Sequence, residues 1–431
     1  MSVRTHRQFP SRTLRTAALG ALLALALAAS ARAQTYTSET LGPGLPSGPF
    51  KLYPSVSYEY MYDSNILFMS TDLPGSDPVA SGVNVLQARF LAILPYHDGR
   101  FRLLYAPFYR SYTNDRFSPE DRINQIVGLE WILHQSGPVM FAFRDDYANG
   151  TLSLQEQTAR NGVPFGLGHY MIHNPRMEVG VSVGIRHGFS FLPSYSKSEF
   201  SGLISGFGLP VDYGYTTNAL EGRYNYKHSD PTTVYAYSIV DRTVQTLSDA
   251  PDVTIRSNTL GFGLTRTMNM AIATTVAIGY ETMQFAGGVG PDYSGPVVDA
   301  SVTWQAGNLN RFNFMILRRP YASIYLGSNF YIATAGQIKW IRQLGRSSYM
   351  DAGATLQENE FVPLQGVGRK EQLIRLEVGT GHQFMKNLRG YVGFNVEQRE
   401  SNVLQMTGGV GADPFNYELH RLFFRIEVGW M

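Results

Sequence analysis

Reactive residue types are sparse in this chain. It holds nine His and no Cys, so thiolate nucleophiles, disulfides and thiol-ligated metals are excluded. Hydrolysis of a lipid ester needs a Ser or an acid beside a His at a strand end. His97, His134, His187 and His228 instead lie at or beside short polar turns, where they read as solvated turn residues. No HExxH, no paired His at metal spacing and no phosphate loop occurs, and Gly287-Gly288-Val289-Gly290 lacks the strand-to-helix setting of a nucleotide site. The sequence therefore reads as a non-enzyme that calls for no cofactor and no metal. What remains is a set of charges at alternating positions: Glu59, Arg102, Arg110, Glu130, Arg144, Asp146, Arg375, Glu377, Glu397, Arg425 and Glu427. Such groups do no covalent chemistry. They either offer hydrogen bonds and weak charge to a passing solute or pair with one another and hold a wall in shape, and both readings stay open.

Either role needs elements that put these side chains on one surface. From Leu422 the chain sets Leu422, Phe424, Ile426, Val428 and Trp430 against Phe423, Arg425, Glu427 and Gly429. A period of two marks a strand, and one apolar face with one charged face marks a border between two solvents. The pattern recurs at about 52–62, 83–94, 101–112, 123–134, 139–147, 173–186, 189–196, 213–226, 233–241, 254–266, 271–284, 297–305, 311–318, 329–342, 347–356, 372–384, 389–399 and 417–430, about eighteen strands in all. No apolar run after Gln34 approaches the roughly 18–20 residues of a spanning helix. Connections after even-numbered strands are short, such as His97–Arg100, Gln135–Pro138 and Met385–Leu388. Those after odd-numbered strands are mostly longer, such as Ala148–Gly168, Lys197–Asp212, Arg242–Val253, Gln357–Lys370 and Glu400–Asn416. One rim thus carries turns and the other loops, as in transmembrane barrels with short periplasmic turns and longer extracellular loops.

Aromatic residues mark the same two rims. Trp131, Trp304, Trp340 and Trp430 all fall near the end of an even strand on its apolar face, at the short-turn rim. Tyr62, Tyr109, Tyr147, Tyr195, Tyr237 and Tyr280 fall near the upper ends of odd strands. Two belts around an aliphatic band put amphipathic rings at both bilayer interfaces. An open sheet in lipid would leave backbone groups unpaired, so the last strand is expected to close on the first. At roughly 16–18 strands the interior is too wide for side chains to fill. The expected fold is all-β, a transmembrane antiparallel up-and-down β-barrel of about 18 strands, with an aqueous lumen lined by the charges named above.

Residues 1–33 have the layout of a secretory signal peptide: Arg4, Arg7, Arg12 and Arg15, then an apolar run from Ala17 to Ala29, then Ala31-Arg32-Ala33. Cleavage is expected between Ala33 and Gln34. Residues 34–50 then form a short periplasmic lead and 51–431 the barrel, in the bacterial cell outer membrane. The first 33 residues carry five Arg and no acid, which leaves 31 basic and 34 acidic residues, a net charge of −3. Nothing in that balance calls for nucleic acid. The expected partners are outer-membrane lipid and lipopolysaccharide. The aromatic end of the last strand resembles the C-terminal assembly signal of bacterial outer-membrane barrels, which implies the outer-membrane assembly machinery as a further partner. The loops Phe200–Pro210 and Gln155–Gly168 are candidates to fold inward and narrow the lumen.

The first strand ends Tyr62-Asp63-Ser64-Asn65-Ile66. After a variable loop comes Phe108-Tyr109-Arg110-Ser111-Tyr112, then a loop with Asp121 and a strand from Asn124 to Leu133. These stretches resemble the aromatic-x-Asp-Asn-Ile start and the Tyr-Arg-x-Tyr strand of an outer-membrane β-barrel porin family, whose members are often associated with exopolysaccharide or capsule biosynthesis loci. Ser64, between the Asp and the Asn, departs from that pattern. The resemblance covers about residues 50–150. It implies a channel that passes an exported polysaccharide or another hydrophilic solute. A small-solute porin, or a closed barrel with a structural or assembly role in the cell envelope, stands as the alternative, and a surface adhesin working through its long loops as a third class.

Overall fold

Strands whose two faces differ in polarity bury neither face against a globular core, and they satisfy their backbones only by pairing edge to edge until the sheet closes. The computed structural model shows that outcome. It describes residues 44–71, 77–120, 122–151, 167–204, 212–247, 250–268, 271–286, 291–323, 328–363, 368–402, 405–407, 410–412 and 416–429. The barrel strands are β1 (Phe50–Asp63), β2 (Ser81–Tyr96), β3 (Gly99–Tyr112), β4 (Arg122–Leu133), β5 (Val139–Thr151), β6 (Leu167–Val183), β7 (His187–Ile204), β8 (Tyr213–Ser229) and β9 (Thr232–Leu247). They continue with β10 (Ala250–Met268), β11 (Ile272–Ala286), β12 (Tyr293–Ala306), β13 (Asn310–Ala322), β14 (Ser328–Gln343), β15 (Ser348–Pro363), β16 (Lys370–Met385), β17 (Leu388–Ser401) and β18 (Tyr417–Gly429).

Each strand pairs antiparallel with its sequence neighbours, and β18 closes on β1 in a register running from Ser55 opposite Gly429 to Asp63 opposite Arg421. The eighteen-stranded antiparallel barrel read from the alternation is therefore the fold. One further short strand, Leu45–Ser47, turns back on the foot of β1 and pairs Leu45 with Leu52. A small hairpin pairs Gln405–Thr407 with Val410–Ala412 between β17 and β18. Residues 1–43, and with them the expected signal and cleavage site, lie outside the described residues, as does Trp430.

The apolar faces point outward. Val56, Leu86, Phe90, Leu103, Leu220, Leu260, Phe262, Ile278, Leu376 and Leu422 are all exposed on that surface. An apolar surface of this extent would be strongly unfavourable in water and is the expected boundary with lipid. At the short-turn rim Trp304, Phe312 and Trp340 stack in a row with centroids 5.0 and 6.4 Å apart, and Trp340 Nε1 donates to Asn310 Oδ1 at 3.1 Å. Trp131 lies exposed at the same rim, edge-on to Phe141. At the opposite rim Tyr62, Tyr109 and Tyr280 are exposed outward, and Tyr147 and Tyr195 flank His173 at 6.2 and 6.4 Å.

Tyr237 does not belong to that belt. The β9 register sets it opposite Arg223 and Gly261, on the lumenal face, where it is 8% exposed. The run Val234 to Val240 carries no charge and only Ser238 as a small polar residue, so polarity alone does not orient it. Gly261, Gly263 and Gly279 decide the matter. A Cβ at Gly261 would collide with the Tyr237 ring, one at Gly279 with the Tyr237 hydroxyl, and one at Gly263 with the Tyr235 ring. The tyrosines lie flat in notches that the glycines leave, which is also how aromatic rings shield weak glycine positions in a sheet.

Several upper connections are shorter than expected. β9 runs to Leu247 and β10 starts at Ala250, so most of 242–253 is strand rather than loop; Lys197–Ile204 likewise belongs to β7 and Gln357–Pro363 to β15. Above the bilayer the outward positions turn polar, as at Arg242, Thr254 and Glu358. The contrast between faces fades there while the hydrogen-bond ladder continues.

Candidate functional site: the lumenal wall

All eleven charges named from the sequence fall on the lumenal face. Register brings Arg102, Glu130, Arg144 and Arg176 into one row across β3–β6. Glu130 accepts from Arg100 Nε at 2.6 Å and from Arg144 Nε at 3.0 Å, and Asp146 lies 4.0 Å from Arg176. On the other side of the seam Arg375 Nε donates to Glu397 at 2.6 Å and Arg425 Nε to Glu59 at 2.7 Å. Lys339, which the sequence reading did not name, bridges Asp351 at 3.4 Å and Glu377 at 3.3 Å. Glu427 lies opposite Ser57 and Arg389. Arg110 is buried, its guanidinium 5.5 Å from the Phe108 ring centre. Pairs that face lumenal water contribute about 0–1 kcal/mol each, so their main effect is to lower the net charge of the wall while leaving donors and acceptors along it.

One pair differs. Arg421 Nε donates to Asp63 Oδ2 at 2.6 Å, with the two side chains only 3% and 2% exposed. Removing one partner of such a buried pair leaves an uncompensated charge and costs about 3–5 kcal/mol. What the pair holds is the segment that follows β1. Ser64 N donates to the His420 carbonyl at 3.0 Å and Thr71 N to the Asn416 carbonyl at 3.1 Å. Asn65 is fully buried; its amide donates to the carbonyls of Met69 and Glu418 at 2.9 and 3.3 Å, and its Oδ1 accepts from Met69 N at 2.8 Å.

This frame turns residues 66–69 into the lumen. Ile66 and Leu67 pack with Met61, Val83, Tyr112 and Phe117, the last on the 3-10 helix Asp115–Glu120. Phe68 takes a φ of 55°, a left-handed conformation that costs a non-glycine residue about 1–3 kcal/mol. It meets Tyr417 edge-on at 5.0 Å and Arg421 at 5.6 Å. It also belongs to one apolar cluster with Leu419, Tyr170, Phe200, Tyr213 and Tyr215. Tyr417 and Leu419 stand on β18 and the others on β6–β8, with β1–β5 between them one way round and β9–β17 the other. The cluster therefore crosses the lumen.

The narrowing segment is thus 64–71. Of the two loops expected to narrow the lumen, Phe200 does join the cluster, but from strand β7; residues 205–211 and 152–166 lie outside the described residues. The signal was present in the run Ile66-Leu67-Phe68-Met69, which is too apolar for a solvated loop. Asp63 and Asn65, two residues that carry the family resemblance, are the ones that hold the segment in place.

A cavity of about 610 Å³ lies against β8–β13. Its wall includes Tyr235 and Tyr237, the carboxylates Glu221, Asp241, Glu281 and Asp299, and Arg223 and Arg319. None of these was singled out from the sequence as lumenal, although continuing the alternation through β8–β13 identifies all but the tyrosines.

Residues 212–408 match the model of a family described as "Putative beta-barrel porin 2". The matched stretch, a little under half of the chain, is similar to that family. The matched stretch holds β8–β17 and most of the cavity wall, whereas residues 50–150, which carry the motif resemblance, lie outside it. Among solved structures, the outer membrane protein OpdK from Pseudomonas aeruginosa is similar at 10% identity and a TM-score of 0.45, covering 88% of this chain and 98% of its own. OccK2 (OpdF) from the same organism, solved in complex with glucuronate, gives 10% and 0.48 with the same coverages. The FrpB iron transporter from Neisseria meningitidis gives 8% and 0.44, covering 87% of this chain and 81% of its own. No curated protein matches the sequence.

Proposed function

We propose that the barrel is a passive outer-membrane channel for hydrophilic solutes, an exported polysaccharide among them. The observation that carries this reading is the lumenal wall. Paired charges and hydrogen-bonding groups line a closed lumen, as in Glu130 with Arg144, Asp146 with Arg176, Arg375 with Glu397 and Arg425 with Glu59. Pairing keeps the local charge low while leaving many donors and acceptors, which suits neutral polyhydroxylated solutes better than strongly charged ones.

A second reading draws on the Phe68 cluster. An apolar bridge across the lumen favours a narrow porin for small solutes, or a closed barrel with a structural or assembly role in the envelope. Conductance in planar bilayers separates the readings. Discrete current steps from the purified barrel, reduced by polysaccharide but not by short sugars, are expected for polymer passage; reduction by short sugars alone favours the small-solute porin. Silence from both wild type and Phe68→Ala overturns the channel reading. Lipopolysaccharide around the upper rim and recognition of the last strand by the assembly machinery belong to the same proposal. Trp430→Asp is expected to lower barrel levels in the outer membrane without blocking passage across the inner membrane, and unchanged levels would remove the assembly signal from the account.

A further inference from the structure

We propose that the cavity on β8–β13 is a binding site for an organic cation, an amine carried on a compact body with an apolar face. The proposal rests on the channel reading only for access to the lumen. Of the four carboxylates on the cavity wall, Glu221 is committed to Arg223 at 2.6 Å, and that guanidinium lies 4.8 Å over the Tyr235 ring. Among the described residues that line the cavity, Asp241, Glu281 and Asp299 then have one further cation beside them, Arg319, which leaves a surplus of negative charge.

Glu281 is 7% exposed and accepts from Ser257 Oγ at 3.2 Å, so its position is fixed before any ligand arrives. Among the described residues no group of three His, Asp or Glu side chains comes together at metal-binding spacing. That spacing argues against a hard metal ion, which gathers several oxygen ligands around one point. The volume of about 610 Å³ is that of a small-molecule pocket.

Two features point to an organic ligand. Tyr237 lies over its glycine notch and puts an aromatic ring on the cavity wall, a surface that attracts a desolvated cation or the apolar side of a ring. Tyr215, also on the cavity wall, is only 9% exposed, and its hydroxyl makes no hydrogen bond in the structure. A buried hydroxyl of this kind is a ready partner for an ammonium or hydroxyl group.

Glucosamine, glucose and glucuronate present similar rings with positive, neutral and negative charge, and calorimetry on the purified barrel in detergent compares them without reference to conductance. The expected order is glucosamine, then glucose, then glucuronate, with glucosamine favoured over glucose by about tenfold. Asp241→Asn with Asp299→Asn should bring glucosamine to the level of glucose while the barrel keeps its heat-modifiable gel migration. Equal binding of glucosamine and glucose, a preference for glucuronate, a preference that survives in the double variant, or no heat from any of the three at millimolar concentration would each overturn the assignment. A barrel that conducts but fails this test leaves the channel reading intact.

Discussion

Asp63 and Arg421 form a buried ion pair, and its value follows from where it sits. Asp63→Asn is expected to destabilise the barrel by about 3–5 kcal/mol, because Arg421 is left buried and unpaired. Asp63→Leu with Arg421→Met should recover much of that loss, since a buried pair replaced by hydrophobes of similar volume is often close to neutral. The temperature at which folded barrel converts to the unfolded gel band measures both. A single variant that melts like wild type would mean that the pair holds nothing. The glycine notches make a second prediction at this scale. Gly263→Val places side-chain atoms where the Tyr235 ring lies and should cost about 1–3 kcal/mol, and Tyr235→Ala in the same chain should relieve part of it. Additive losses in the double variant would contradict that packing.

At the scale of elements, strands were legible wherever their two faces contrasted. The eighteen strands follow from alternation, because lipid on one side and water on the other impose opposite chemistry on successive residues. Two kinds of position escaped for physical reasons. Above the bilayer both faces meet water, so the upper parts of β7, β9 and β15 lost their contrast and read as loops. Between Val234 and Val240 of β9 the two faces barely differ in polarity, so Tyr237 read as outward; its orientation is set by glycines on the next two strands, which are visible only once register is known. Hydrogen exchange in detergent tests the longer strands. Backbone amides at Thr243 to Gln245, within the β9–β10 ladder, should be protected as strongly as those at mid-barrel. Rapid exchange there would restore the loop reading.

For the whole molecule, closure of β18 on β1 makes a lumen, and the segment 64–71 determines how open it is. The wall charges were legible as a class in the sequence, and their partners were not, because pairing depends on the register between neighbouring strands. The narrowing segment was quoted for its family resemblance without its job being visible, since an inward turn of the chain leaves no periodic trace. The central claim is that the lumen conducts and that Phe68 governs its width. Single-channel conductance of wild type and Phe68→Ala in planar bilayers tests it most directly. Discrete steps in both, larger in Phe68→Ala, are the predicted result; no current from either, or steps of equal size, would contradict it.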